Sequence, residues 1–529
     1  MSSHRSVQRD SPSPTHELTY CLFPRIRIFG EKRRKGNTNF PRPFATLVTA
    51  RPSEAGESDV SIDMLHDGVL LEIFDSYRKR VSYLDGMWKW QKLLHVCRRW
   101  RHIVLASPRR LDLRIGCNPR TPTRRLLDIW PPFPISISGL AWLRTDARCK
   151  DNVIAALERR DRVFEIDLSY IPSAELGQIA STMEGPFPAL TRLRVNPDSL
   201  KLDITTREVT RVAALPLPNT FLGGSAPRLR KLTLQDIAFP ALPNLVLSAT
   251  HFQKLHLLNV PHAGYISPQA MVTFLLALPN LKSLIIEFAS PESRPLQMSP
   301  PPLTHALLPS LTGFRFNGAS EYLVDFISRI HTPMLDSFQM TFFSDVIPNV
   351  SQFHKFIDRT DKLKTFTQAE VYLGPCGVRA IFNSPANLGL DITCEVSDWP
   401  LSSMMRLYEQ LLTIPGLSQV EQLELYEEEW DELVEQEWQE GLEDDPRWLQ
   451  LFDPFDSVKS LYVSERLGPF IASALENLFG ESVTEVLPTL DNLFFEGFGS
   501  SEFVEKTIKS FVSIRQLSDY PVIVRRWER

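Results

Sequence analysis

Cysteine is scarce in this chain. Its six residues, Cys21, Cys97, Cys117, Cys149, Cys376 and Cys394, are widely spaced in 529 positions, and none forms a Cys-x-x-Cys pair. That spacing excludes a disulfide framework and a thiolate zinc site, and it reads as reduced thiols of the cytosol or nucleus. Glycine is also sparse, at 23 residues against 41 prolines, which suits short rigid connections better than glycine-rich phosphate loops. A net charge of -5 gives no reason to expect nucleic acid or an anionic membrane as partner. The first twenty residues lack an apolar run, so no secretory leader is expected. The longest apolar stretch, Met271 to Leu278, stops at Pro279 and is too short to span a bilayer.

Chemical motifs are missing as well. There is no phosphate loop, no His-Glu-x-x-His and no nucleophile elbow, and Gly497-Phe-Gly499 is too short for a dinucleotide fingerprint. His251, His256 and His262 have no cysteine or carboxylate at ligand spacing. The sequence therefore predicts a protein without catalytic, metal or cofactor sites. An enzyme whose site is dispersed over the chain is the alternative such a reading leaves open.

What is present begins with two short amphipathic patterns between residues 62 and 110. Val69, Leu70, Ile73, Phe74 and Tyr77 recur every three or four residues, as do Leu93, Val96, Cys97, Trp100, Ile103 and Val104. So small a helical pair cannot build a core of its own and must bury its surplus apolar surface elsewhere. The stretch resembles the F-box, the module that docks on the Skp-type adaptor of cullin-RING ubiquitin ligases. Leu65, Asp67, Val69, Leu70, Leu71, Ile73 and Phe74 carry the first half of the match, and Val96, Cys97, Arg98, Trp100 and Ile103 the second. Its look is that of fungal, mushroom-type F-box-like proteins, with Cys-Arg-Arg-Trp-Arg followed by Ala-Ser-Pro and Leu-Asp-Leu. His66 and Gly68 depart from that pattern, where proline and an acidic residue are usual. The resemblance implies adaptor contacts from Leu65, Val69, Leu70, Ile73, Phe74, Val96, Arg98, Trp100 and Ile103, some of which must instead hold the helices together.

From residue 111 onward one frame recurs: apolar, two others, apolar, one other, apolar. It appears as Val163-Ile166-Leu168, Leu190-Leu193-Val195, Leu229-Leu232-Leu234, Leu255-Leu258-Val260, Leu281-Leu284-Ile286, Leu311-Phe314-Phe316 and Leu335-Phe338-Met340. Looser copies are Val420-Leu423-Leu425, Val458-Leu461-Val463 and Leu490-Leu493-Phe495. The recurrence resembles an irregular leucine-rich repeat, with one strand per repeat. The expected fold is thus an α+β or α/β repeat: a short helical F-box-like module over 62–110, then an irregular leucine-rich-repeat-like solenoid over 111–529.

Residues 1–61 read as a polar, disordered tail holding the basic cluster Glu31 to Lys35, and 427–445 as an acidic helical insertion carrying Trp430, Leu433, Val434 and Trp438. Together these features imply a substrate receptor of an SCF-type ligase, with a Skp-type adaptor and cullin as partners and a client on the strand surface. The default client-facing residues are Arg194, Thr233, Asn259, Arg315 and Gln339, which sit between apolar strand positions and point away from the core. The alternative is a ligase-independent scaffold whose F-box is degenerate.

Overall fold

The computed structural model describes residues 62–79, 93–106, 113–116, 123–129, 132, 134–138, 147–198, 200–202, 209–211, 216–295, 305–343, 350–374, 377–384, 387–395, 416–427, 446–478, 482–497 and 502–528. The tail 1–61 with its basic cluster, the acidic stretch 428–445, and Cys21, Cys117 and Cys376 lie outside the described residues. The chain divides into two compact units, Met1–Leu65 and His66–Arg529. Of the first, the described part is a single helical turn, Ile62–Met64, followed by Leu65.

The second unit opens with two helices, α1 (Asp67–Lys79) and α2 (Arg98–Ala106). The rest is organised by one sheet of 16 strands. The first five are β1 (Leu113–Gly116), β2 (Ile135–Ser138), β3 (Val163–Pro172), β4 (Arg192–Asp198) and β5 (Lys231–Gln235). Next come β6 (Lys254–Val260), β7 (Ser283–Phe288), β8 (Gly313–Gly318) and β9 (Ser337–Phe342). Three longer strands follow, β10 (Gln368–Gly374), β11 (Gly377–Ser384) and β12 (Asn387–Glu395). The last four are β13 (Gln422–Glu427), β14 (Ser460–Val463), β15 (Asn492–Glu496) and β16 (Ile523–Trp527).

Alternation makes these strands. In β7, β8 and β9 every second residue is buried and the others are half-buried, the signature of a sheet with one face on the core and one face open. Helices cover the buried face. Phe314 and Phe338 stack at 5.2 Å, and Phe326 and Phe356 reach them from the helices Ser320–Ile327 and Val350–Asp358. The apolar positions of the recurring frame are buried, with Leu258 the exception.

The expected architecture, a helical F-box-like module followed by a leucine-rich-repeat-like solenoid, is corrected by this structure to an α/β fold on one large, mostly parallel mixed sheet. In a repeat array each unit stacks on the next in chain order, with nearest-neighbour contacts alone. Here that order breaks. Strand β9 pairs with β12, which runs antiparallel to β11; β11 runs antiparallel to β10, and β10 then pairs in parallel with β13. The long gap in the frame between Leu363 and Val420 is thus occupied by a three-stranded antiparallel meander. The frame misleads because its last two positions are ordinary strand alternation and its first, in most copies, is a buried residue just before the strand, neither of which depends on strand order.

Candidate functional site

Two surfaces of the second unit carry the residues singled out from the sequence. The first is the helix pair. His66 precedes α1, and its Nδ1 accepts a hydrogen bond from the Gly68 amide at 3.1 Å. The imidazole thereby satisfies one of the orphan amides of the first turn, as a capping side chain does. Asp67 adds negative charge where the helix dipole favours it, and its Oδ1 accepts from Arg99 Nε at 3.1 Å and Nη2 at 2.7 Å. Cys97 caps α2 with its sulfur, which accepts from the Trp100 amide at 3.4 Å. The rings of Phe74 and Trp100 meet at 4.8 Å and tie the two helices together.

The apolar stripe read from the sequence is wider than the inner face it lines, and the structure sorts it. Leu70, Phe74 and Ile103 are buried, with Val104 beside them, and Trp100 is half-buried. Val69, Ile73 and Val96 instead stand 47%, 42% and 57% exposed, and Arg98 is exposed as well. Leu65 is half-buried in the first compact unit. One turn of α1 separates Val69 from Ile73, so both lie on the same outward face.

The second surface is the open face of the sheet. Strand register places Arg194, Thr233, His256, Ile285, Arg315 and Gln339 side by side across β4 to β9. Four of the five strand residues expected to face a client therefore share one row. Asn259 does not join it. A register shift between Leu257 and Val260 carries Asn259 into the left-handed region (φ 51°), which asparagine tolerates, and its side-chain amide donates to Asp236 Oδ1. Ahead of the shift ordinary alternation buries Leu255 and Leu257, so the buried triplet here is Phe252-Leu255-Leu257 and His256 holds the place in the row.

Charge is distributed unevenly along this face. Arg192 pairs with Glu165 at 2.5 Å and Arg315 with Glu287 at 3.0 Å, while burial pushes the Glu287 carboxyl up against the pull of Arg315. Burial first, then Lys254, Arg194 and Arg315, hold His256 down at about 4. Its unfolded value is about 6.5, so the folded chain binds fewer protons between those two values, and stability is lost as pH falls from about 6.5 towards 4. For a half-buried ring screened by solvent the loss from pH 7 to 5 should be about 1 kcal/mol. Urea unfolding at the two pH values checks it, since His256→Asn should flatten that part of the dependence.

Beyond β9 the row continues through Asp391, Ile381, Glu370 and Glu424. Arg379 grips both oxygens of Asp391 at 3.0 and 2.7 Å. Glu424 is buried and accepts from Gln368 at 2.7 Å, from Gln422 at 2.6 Å and from the Tyr426 hydroxyl. Around it the rings of Tyr372, Tyr426, Tyr462, Phe494 and Trp527 touch in a chain, with Tyr462 and Phe494 stacked at 4.3 Å. Sequence reasoning passed over this aromatic and acidic end, and over Arg192, Lys231 and Lys254. Their signal was the residue on either side of each first inward strand position, as in Arg192-Leu193-Arg194 and Lys254-Leu255-His256.

Among the described residues no group of three or more His, Cys, Asp or Glu is placed to hold a metal, and no helix is long and apolar enough to cross a membrane. No protein-family model matches the chain, and no curated protein matches it.

Proposed function

We propose that the chain is the substrate receptor of an SCF-type ubiquitin ligase, docking on a Skp-type adaptor through α1 and α2 and holding a client protein on the open face of the sheet. The observation that carries this reading is the division of the helix pair. Its interior is already filled by Leu70, Phe74, Ile103 and Val104, yet Val69, Ile73 and Val96 remain exposed. Apolar side chains left outward beside a completed core are what a docking surface requires. His66 supports the reading too, because its ring caps α1 where the F-box pattern has proline. Such a receptor performs no chemistry. It raises the effective concentration of client lysines beside the ubiquitin-charged enzyme, in the cytosol or nucleus where these ligases work. On the sheet, Arg194, Thr233, Arg315 and Gln339 are the client-facing residues of this proposal.

Co-purification with the Skp-type adaptor and cullin is the test. The parent should retain the adaptor, and Val69→Asp/Ile73→Asp should weaken it at least about 100-fold by placing two charges in a desolvated interface. That variant should melt with the parent, because both positions face solvent. Leu70→Asp would not serve, since Leu70 is fully buried and its loss would unfold the helix pair. A folded parent that leaves the adaptor in solution would favour a scaffold with no ligase role.

A further inference from the structure

The basic end of the sheet's open face has an arrangement that folding alone does not explain. Arg192, Lys231 and Lys254 are direct partners on three adjacent strands, β4, β5 and β6. Like charges directly opposite one another in a sheet are destabilising. Of the three, Arg192 alone is matched, by Glu165, while elsewhere on this face Arg315 is matched by Glu287 and Arg379 by Asp391. Lys231, Lys254 and the exposed Arg194 have no ion pair among the described residues, and the one carboxylate opposite any of them is Asp167, across from Arg194 on β3, which accepts from Ser169 instead. Burial first, then Arg192 and Lys254, push the Lys231 amine down against the opposing pull of Glu165.

We propose that Arg194, Lys231 and Lys254, flanked by Arg315, form a binding surface for a short acidic segment of a client protein, whose carboxylates supply the counter-charge that the fold omits. The proposal names the chemistry of the client and so rests on the receptor reading above. The span fits. From β4 to β8 there are four strand spacings of about 4.8 Å, about 19 Å in all, which about six residues of extended peptide cross. A nucleic acid fits less well. Following the same row past Gln339, its phosphates would meet Asp391, Glu370 and Glu424, whereas a short peptide ends before them.

The experiment is fluorescence anisotropy of the full chain with a fluorescein-labelled octapeptide of alternating glutamate and serine. A lysine–serine octapeptide and a twelve-nucleotide oligo-thymidine serve as alternatives. The parent should bind the glutamate peptide in preference to both, with affinity that falls as salt rises. Lys231→Glu/Lys254→Glu should lose at least about ten-fold, and so should the single change Arg194→Glu at an exposed position. Lys506→Glu/Lys509→Glu, the same charge change on the exposed side of the helix Glu502–Leu517, should bind as the parent does. The double change makes the Arg192–Lys231 contact attractive but sets two carboxylates opposite each other across β5 and β6, so it should melt close to the parent temperature, which separates lost binding from lost folding. No binding of the glutamate peptide, an equal loss in the helix control, or tighter binding of the oligonucleotide would overturn the proposal. Adaptor capture by the same preparations distinguishes the two readings. Retained capture with no peptide binding sinks this inference alone, and peptide binding without capture sinks the receptor reading.

Discussion

Replacing Arg329 by alanine is expected to destabilise the protein by about 3–5 kcal/mol, although the residue lies far in sequence from the helix pair. Arg329 and Asp325 face each other one helical turn apart, 9% and 5% exposed, at 2.8 Å. Both Nε and Nη2 of the guanidinium donate to the same carboxylate oxygen, at 3.0 and 2.8 Å. Removing the cation leaves a buried carboxylate beside Tyr265 and Tyr322, whose hydroxyls are held protonated by burial first and then by neighbouring charge, that of Asp325 included. The stranded charge, rather than the lost bond, sets the size of the effect. Replacing both partners by apolar residues of similar volume, Asp325→Leu/Arg329→Met, should therefore cost far less than Arg329→Ala alone. Urea midpoints of the parent and the two variants check this directly. Equal losses in both variants would mean that packing volume, not the unpaired charge, dominates the site.

Phe338→Ala should cost a similar about 3–5 kcal/mol, by a different route. Phe338 is fully buried in β9 and touches Phe314 at 5.2 Å, Phe356 at 5.5 Å and Phe353 at 6.3 Å. It joins the sheet to the helix Val350–Asp358, just before the point where strand order departs from chain order. A truncated side chain there opens a cavity among rings that are already interlocked and cannot close on it. Phe338→Leu keeps most of the volume and should cost under about 2 kcal/mol. Thermal or urea unfolding distinguishes the two. A loss below about 1 kcal/mol for alanine would mean that the neighbouring rings collapse into the gap.

Much of the sheet was legible as individual strands, because alternation of buried and half-buried residues is written into triplets such as Leu284-Ile285-Ile286 and Phe314-Arg315-Phe316. The strand order was not. The local pattern of Gln368 to Gly374 is that of any strand with one buried face, and nothing in it specifies β13 rather than β9 as its parallel neighbour. Pairing of that kind is decided over a longer range, where β12 runs antiparallel to β11 and lies beside β9. The misplacement of Asn259 has a smaller cause. A single-residue slip reverses every side chain beyond it, and the left-handed backbone at Asn259 is set by its bond to Asp236, twenty-three positions earlier in the chain. In the helix pair, three- and four-residue spacing marked Val69 and Leu70 alike as apolar. The tertiary packing of the pair, in which Trp100 of α2 meets Phe74 of α1, is not written in that spacing, and in it Leu70 is buried while Val69 is left exposed.

In the proposed receptor, the exposed side of α1 and α2 receives the Skp-type adaptor while the sheet stays free for a client. Hydrogen exchange of the full chain with and without saturating adaptor tests it most directly, because amide protection reports where the partner sits. Slowed exchange is expected across residues 67–76 and 96–104, with β4 to β9 unchanged. Protection confined to the sheet, or exchange that is the same with and without adaptor, would contradict it.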